Sequence, residues 1–207
     1  MTGAFVVIEG LDGAGTTTQC AAIAKDLRAH GREVLTTREP SDGPIGKLIR
    51  QALTRQLGLS TKKQPLTPTT LALLFAADRV DHVAREIEPA LARGATVLSD
   101  RYLLSSLAYQ GSQLPIGWVA KINQGALVPD LTLFLQIDPA LGAKRRAARG
   151  GKRELYETQA IQRRTARQYL AAIALRRRAG EKIVILDGGA PMADVTAASL
   201  EALRKRL

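Results

Sequence analysis

The feature that most constrains this chain is a glycine-rich turn that follows a short apolar run and precedes a helical pattern. Phe5 to Ile8 is uncharged and rich in β-branched residues, as expected for a strand buried on both faces of a parallel sheet. The turn covers Gly10 to Thr17, and the apolar spacing from Gly15 to Ala29 predicts a helix. A strand, a glycine turn and a helix in this order are typical of a phosphate-binding loop, although glycine also serves tight turns for backbone reasons alone.

Four further apolar runs predict the other strands of the sheet, at 34–37, 96–99, 131–137 and 183–186. Helical patterns separate them, at 45–54, 69–92, 105–109, 116–126, 139–148 and 157–179, with a closing helix at 192–207. Gly31, Gly94 and Gly180 each follow a helical pattern, where a left-handed residue is expected to cap the helix. The alternation predicts a three-layer α/β fold, with a five-stranded parallel sheet covered by helices on both faces, in one domain of residues 1–207.

The composition excludes several classes of protein. No stretch approaches the ~20 apolar residues of a membrane helix, and the amino terminus has no secretory-signal pattern, so we expect a cytoplasmic protein without a membrane partner. Cys20 is the one cysteine, so it cannot form an internal disulfide, and we expect a packed thiol. His30 and His82 lack neighbours at zinc-ligand spacing.

The net charge of +11 indicates a surface that attracts polyanions, whether nucleic acid, acidic lipid or nucleotide phosphates. With three Phe, four Tyr and one Trp, the chain lacks an obvious platform for stacking bases, and it has no helix-turn-helix or zinc spacing. We therefore expect no nucleic-acid partner.

The turn departs from the phosphate-loop pattern at one position. In G-x-x-x-x-G-K-[ST] a lysine stands where this chain has Thr16, while Thr17 falls at the position whose hydroxyl binds nucleotide-bound Mg²⁺. By analogy with the loss of one preorganised donor, the missing lysine should cost about 3 kcal/mol, or a hundredfold in rate. The residues expected to contact ATP are Gly10, Leu11, Asp12, Gly13, Ala14, Gly15, Thr16, Thr17 and Thr18.

Four segments together resemble the thymidylate kinases, a family of P-loop nucleoside monophosphate kinases, over essentially the whole chain. They are EGLDGAG, TTREPSDGPIGKLIR, LLFAADRVDHVAREIEPALARGATVLSDRYLLSSLAYQG and VPDLTLFLQIDP, in the family's order and approximate spacing. The resemblance implies a P-loop kinase fold and transfer of the ATP γ-phosphoryl group to dTMP, giving dTDP and ADP for dTTP synthesis. It also implies Mg²⁺ carried by ATP, and a homodimer.

The resemblance implies roles for single residues. Asp12 would bind the deoxyribose hydroxyl, Arg38 and Arg101 would hold the acceptor phosphate, and Asp100, with Thr17, would orient Mg²⁺. Phe75 and Arg79 match the residues that stack on thymine and bond its edge, and their i, i+4 spacing places them on one helix face. The implied acceptor site contains Asp12, Arg38, Glu39, Phe75, Arg79, Arg101, Ser105, Tyr109 and Gln110.

Most of these assignments have a purely structural alternative. Phe75 and Tyr109 are also consistent with core packing, Arg79 with a surface ion pair to Asp78 or Asp81, and Arg38-Glu39 with a simple strand end. Ser41 and Asp42 replace glycines of the family's REPGG motif, and an added carboxylate would repel an acceptor phosphate unless it points outward or meets a cation.

A lid is expected at about residues 143–157. Members of the resembled family carry a catalytic arginine either in the phosphate loop or in the lid, and this loop has none, so we expect the lid to contribute it. The basic residues there are Arg145, Arg146, Arg149, Lys152 and Arg153, of which Arg149 and Arg153 are the expected catalytic pair, and one of the five is expected to compensate for Thr16. The lid sequence KRELYE departs from the Asp-Arg-Phe-Glu pattern that is usual in the family.

Other functions stay open at this point. Thr16 could mark a nucleotide-binding protein of the same fold with impaired catalysis, and the basic charge would also suit a nucleic-acid-binding protein. Within the enzyme class, another pyrimidine deoxynucleotide could be the acceptor.

Overall fold

A computed structural model of the chain describes residues 3–54, 66–149 and 158–205. Its sheet has five strands that are all parallel, in the order β2-β3-β1-β4-β5. The strands are β1 (Ala4–Gly10), β2 (Val34–Arg38), β3 (Thr96–Asp100), β4 (Leu131–Gln136) and β5 (Ile183–Asp187). The predicted five-stranded parallel sheet is thus confirmed.

The helices follow the predicted alternation. Their bounds are α1 (Thr16–Ala29), α2 (Pro44–Leu53), α3 (Pro68–His82), α4 (Glu88–Ala92), α5 (Leu103–Tyr109), α6 (Ile116–Ile122), α7 (Pro139–Arg149), α8 (Gln159–Arg178) and α9 (Met192–Arg204). Gly31, Gly94 and Gly180 have φ values of 76°, 85° and 90°, so the left-handed caps expected there are present.

The prediction of a helical segment over 69–92 is confirmed, but its hydrogen-bond pattern is not regular throughout. A wide π turn at Val83–Ile87 separates α3 from α4. Pro89 has no backbone N–H and cannot complete the regular i to i−4 pattern, and a locally wider turn accommodates that loss. The expected helix over 116–126 is also shorter, because α6 ends at Ile122.

Helices cover both faces of the sheet. Helices α1 and α9 contact each other, and α1 packs on β1, β2 and β3. Helices α4 and α5 pack on β3 and β1, and α5 also packs against α8. The helices divide between the two faces because the crossovers are right-handed and the chain reverses its direction across the sheet. It moves toward one edge from β1 to β2, and toward the other edge from β2 through β3 and β4 to β5. Cys20 is buried in this core as a free thiol.

The strand register aligns the polar strand ends. Ile8 of β1 pairs with Asp100 of β3, which in turn pairs with Arg38 of β2. The carboxyl ends of all five strands meet at one edge, where open parallel sheets bind their ligands. Within the described ranges, no helix has the length and apolar character needed to cross a membrane.

Candidate active site

A cavity of about 570 Å³ lies over the glycine-rich loop. Gly15 has a φ of 94°, which favours glycine, and α1 begins at the next residue, so the unpaired N–H groups of its first turn face the loop. The cavity continues to the loop between β5 and α9, where Gly188, Ala190 and Met192 form its far wall. The sequence-predicted residues that line it are Asp12, Gly13, Ala14, Gly15, Thr16, Thr17, Thr18, Asp100 and Arg101.

Two residues of the expected ATP-binding stretch lie outside this lining. Leu11 is buried in the core, and Gly10 presents its carbonyl oxygen to the Arg101 guanidinium at 2.9 Å. Both residues therefore contact protein groups and do not line the cavity.

A second, smaller cavity of about 130 Å³ adjoins the first and shares Asp12 and Arg101 with it. Most of its wall surface is apolar, although seven of the twelve described residues that line it are polar or charged, and this combination is typical of a site for a small organic ligand. The sequence-predicted residues that line it are Asp12, Glu39, Phe75, Arg79, Arg101, Ser105, Tyr109 and Gln110. Pro40, Leu53, Tyr102 and Ser106 complete the lining and were not predicted.

Arg101 stands at the junction of the two cavities. Its Nη2 donates to Asp12 Oδ1 at 2.6 Å, and its Nη1 donates to Gly10 O, Ser105 Oγ and the Tyr169 hydroxyl. The guanidinium also lies over the Tyr109 ring, 5.3 Å from its centroid. The backbone φ of 73° is unusual for a residue with a side chain, and a conformation of this kind persists only where surrounding contacts hold it.

Glu9 is a buried residue of this site that the sequence analysis missed. Its Oε1 accepts from the backbone N–H groups of Tyr102 and Ser105, both at 2.9 Å, and its Oε2 accepts from the Ser105 and Tyr169 hydroxyls. Burial raises the pKa of the Glu9 carboxyl above its ordinary value, although the hydrogen bonds from Ser105 and the charge of Arg101 act in the opposite direction. Glu9 therefore fixes the backbone around Arg101.

Two residues of α8 also belong to this network. Gln162 Nε2 donates to Asp12 Oδ2 at 2.6 Å, and the Tyr169 hydroxyl donates to Gly10 O at 3.0 Å. The two positions are seven residues apart, so they share a helix face, and both are completely buried. The spacing of Gln162 and Tyr169 was visible in the sequence, but their burial and their contacts with Asp12 and Gly10 were not.

Asp100 and Thr17 meet at the floor of the larger cavity. The Thr17 hydroxyl donates to Asp100 Oδ2. Asp100 Oδ1 is buried and has no hydrogen-bond donor among the residues that the structure describes. A buried carboxylate oxygen without a donor, beside a hydroxyl oxygen, provides the hard oxygen ligands that Mg²⁺ prefers.

Arg79 lies in the wall of the smaller cavity and not on the surface, so the alternative of a surface ion pair with Asp78 or Asp81 is wrong. It is 1% exposed, its Nη2 lies 2.5 Å from Glu39 Oε2, and its Nη1 donates to the Asn123 side chain. Its Nε is buried and has no acceptor among the described residues. The wall thus contains a donor that no described protein group uses.

His82 extends the same buried cluster. Its Nδ1 lies 3.5 Å from Glu39 Oε1, and its Nε2 lies 3.2 Å from Glu86 Oε2. Burial acts to lower the pKa of the His82 imidazole, but the hydrogen bond to Glu39 and the charges of Glu39, Glu86 and Asp78 outweigh it, so the pKa lies above its ordinary value. Glu39 is therefore held between the Arg79 guanidinium and the His82 imidazole.

Arg38 lines neither cavity, although the sequence analysis expected it to hold the acceptor phosphate. Its Nη2 donates to Asp42 Oδ1 at 2.8 Å, and Arg50 donates to the same oxygen at 2.9 Å. The hydrogen bond from Arg38, with the charges of Arg38 and Arg50, lowers the pKa of the Asp42 carboxyl. The added carboxylate of the REPSDG segment is thus neutralised by cations.

The expected lid is only partly described. Arg145 and Arg146 lie on α7 and line the larger cavity. Arg149 ends α7, but its side chain lies outside the described residues, as do all of Lys152 and Arg153. The expectation that Arg149 and Arg153 are catalytic therefore stays a prediction.

Comparison with known proteins agrees with this geometry. The model of the thymidylate kinase family matches residues 8–198. A thymidylate kinase of Bifidobacterium longum is 47% identical over 150 residues, which cover 70% of this chain and 72% of that protein. A probable thymidylate kinase of Pyrobaculum calidifontis is 41% identical over 192 residues, covering 92% and 91%, and one of Pyrococcus abyssi is 40% identical over 171 residues, covering 82% of each.

Proposed function

Because this chain belongs to the thymidylate kinase family, and is thus a nucleoside monophosphate kinase, we propose that it transfers the γ-phosphoryl group of Mg²⁺-bound ATP to dTMP. The products would be dTDP and ADP, and the reaction would serve dTTP synthesis. The observation that carries the proposal is the pair of adjoining cavities, one over a phosphate loop and one lined by aromatic residues, which share Asp12 and Arg101.

The larger cavity would hold ATP. The loop N–H groups and the start of α1 offer donors and a positive dipole end to the phosphates. Thr17 and Asp100 would hold the metal ion, with Asp100 Oδ1, which has no donor among the described residues, as the available ligand atom. Mg²⁺, when bound there, neutralises charge on the phosphate oxygens.

The smaller cavity would hold dTMP. The half-buried Phe75 would supply an apolar ring for stacking on thymine. The Nε–H of Arg79, for which the described part of the chain offers no acceptor, would donate to a carbonyl oxygen at the edge of the base. Asp12 would accept from the deoxyribose hydroxyl where the two cavities meet. With its base in this cavity, dTMP would direct its phosphate toward Arg101, which also lines the ATP cavity.

Arg101 would stabilise the phosphoryl group during its transfer. Phosphoryl transfer requires two phosphates in line and neutralisation of charge over the transferred oxygens, without a covalent enzyme intermediate. Arg101 is already held at the junction by four acceptors and an aromatic ring, so little reorganisation is needed. A preorganised planar fork of this kind suits phosphate oxygens.

Arg38 would reach the acceptor phosphate only by leaving Asp42. We expect Asp42→Asn to lower the KM for dTMP about threefold, because an exposed ion pair is worth at most about 1 kcal/mol and its loss frees Arg38. Steady-state kinetics at low ionic strength measures this change. Glu201→Gln, which removes an exposed ion pair to Lys205 on α9, is the matched control. An unchanged or higher KM for Asp42→Asn contradicts the role of Arg38.

The remaining parts of the proposal rest on the family. We place the protein in the cytoplasm, without nucleic-acid partners, and as a homodimer. Leu73 and Val80, seven residues apart on one face of α3, are 50% and 64% exposed and leave an apolar surface that supports a contact with a second copy. Light scattering at several concentrations tests the dimer.

The experiment that tests the function measures ADP formation from Mg-ATP with dTMP, dUMP, dCMP, dGMP and AMP, for the wild type and Thr16→Lys. We expect turnover selective for dTMP in the wild type. Turnover with dUMP or dCMP instead would identify that nucleotide as the acceptor. No ADP formation by the wild type, with ADP formation recovered in Thr16→Lys, would favour a competing function, that of a nucleotide-binding protein with impaired catalysis. No ADP formation by either variant would reject phosphoryl transfer altogether.

A further inference from the structure

Thr16 leaves the phosphate cavity without the cation that the loop pattern provides. Its side chain is 6% exposed and lines the cavity, but a hydroxyl cannot neutralise phosphate charge. Among the described residues that line this cavity, three carry a positive charge, Arg101, Arg145 and Arg146. The replacement for the lysine can be sought among these three.

The hydrogen bonds distinguish the three arginines. Arg101 is engaged by Asp12 and its other acceptors at the junction with the smaller cavity. Arg145 donates to the carbonyl oxygens of Gly188 and Gly189, at the opposite wall. Arg146 donates from its Nη1 to the backbone carbonyl of Asp12 within the phosphate loop, whereas the loop contacts of Arg101, to Gly10 O and the Asp12 carboxylate, hold it at the junction.

A close contact between two glycines brings Arg146 to the loop. A Cβ atom on Gly13 would lie 2.5 Å from Gly142 O, and a Cβ on Gly142 would lie 2.8 Å from Asp12 O. Helix α7 can therefore approach the loop only because both positions lack a side chain. Arg146 follows Gly142 by four residues, so it projects from the same face of α7.

We propose that Arg146 is the cation that replaces the missing loop lysine and binds the β- and γ-phosphates of ATP. The inference rests on the proposed function for the identity of the reaction, but the nucleotide contact is a separate claim. A guanidinium has five N–H donors, and the Asp12 carbonyl accepts from one, so donors remain for phosphate oxygens in the cavity. In a chain with the usual lysine, a second cation at this place would be redundant, and this defines the test.

The test is a set of substitutions at positions 146 and 145, each made in the wild-type chain and in Thr16→Lys. In the wild-type chain Arg146→Ala should lower kcat/KM for ATP about 100-fold, by loss of one charge-stabilising donor, and Arg146→Lys should recover most of the loss. In the Thr16→Lys chain the same alanine substitution should cost less than about fivefold, since the lysine takes over the charge. Arg145→Ala, at the neighbouring position, should have the same effect in both chains.

Binding separates this claim from the proposed function. Calorimetry with the non-hydrolysable ATP analogue AMP-PNP should give a Kd about tenfold weaker for Arg146→Ala, as expected for the loss of one charge-assisted hydrogen bond, with thermal melting unchanged. This measurement needs neither phosphoryl transfer nor a folded Thr16→Lys variant, so the role of Arg146 is tested even if dTMP is not the acceptor. An equal loss from Arg146→Ala in both chains, or an unchanged Kd for AMP-PNP, would overturn the proposal, since either result leaves Arg146 as only a tether between α7 and the loop.

Discussion

Replacement of Arg101 by lysine is expected to lower kcat/KM for dTMP by roughly 10²- to 10³-fold, the cost of removing one preorganised donor from a charge-stabilising site. Arg101 connects two groups of acceptors, Asp12 on one nitrogen and Gly10 O, Ser105 and Tyr169 on the other. A lysine side chain has a single ammonium nitrogen and no planar guanidinium. It therefore cannot bond both groups of acceptors and also donate to the phosphoryl group that is being transferred. Steady-state kinetics with dTMP as the varied substrate measures the effect.

The control for Arg101→Lys is Arg176→Lys. Arg176 has a side chain that is 19% exposed, against 20% for Arg101, and it pairs with Glu181 outside both cavities. We expect the two variants to have similar thermal stability, while only Arg101→Lys loses activity. A loss of activity in Arg101→Lys that follows a fall in stability, or no loss at all, would show that Arg101 serves the fold alone.

Asp100→Asn is expected to lower kcat about 10²-fold and to raise the Mg²⁺ concentration needed for half-maximal rate. Asparagine keeps an oxygen next to Thr17 but removes the negative charge, and the buried Oδ1 has no donor within residues 3–54, 66–149 and 158–205. A neutral amide oxygen is a weaker ligand for a hard divalent cation than a carboxylate is. A titration of the rate with Mg²⁺ at fixed ATP measures both quantities.

Asp130→Asn is the matched control for this second substitution. Asp130 accepts from the Phe5 N–H at 2.8 Å at the opposite edge of the sheet, so its amide can keep that bond. We expect the control to keep the wild-type Mg²⁺ dependence. If Asp100→Asn also keeps both the wild-type kcat and the wild-type Mg²⁺ dependence, the assignment of the metal site to Asp100 and Thr17 is wrong.

Sequence reasoning located those parts of the site that lie at strand ends or on one helix face. The loop after β1, Asp100 and Arg101 at the end of β3, and Phe75 and Arg79 on α3 all line the two cavities. Each belongs to a local segment whose backbone period fixes the direction of its side chains, and parallel strands bring their carboxyl ends together. The family resemblance selected these residues, and their spacing was enough to predict which of them share a strand end or a helix face.

The residues that sequence reasoning missed act over long distances in the chain. Glu9 meets Tyr169 across 160 positions, and Gln162 meets Asp12 across 150. Spacing located Arg38 at the end of β2, where the strand ends, but it did not show that Asp42 is its partner there, so its role toward the acceptor phosphate stays a prediction. Side-chain pairing of this kind depends on packing between elements, and the period of one element carries no information about it.

The amino-acid sequence by itself determined the five parallel strands, the helices between them and the absence of a lysine at Thr16, because these features are encoded in local hydrophobic period, glycine placement and residue identity. Only the tertiary structure decided which basic side chain of α7, among the residues that the structure describes, contacts the phosphate loop. The contact of Gly13 with Gly142 places α7 against the loop and brings Arg146 to the Asp12 carbonyl, 134 residues away in the chain. The reason is physical: local periodicity sets where a side chain points from its own helix, while close packing of two elements sets what it reaches.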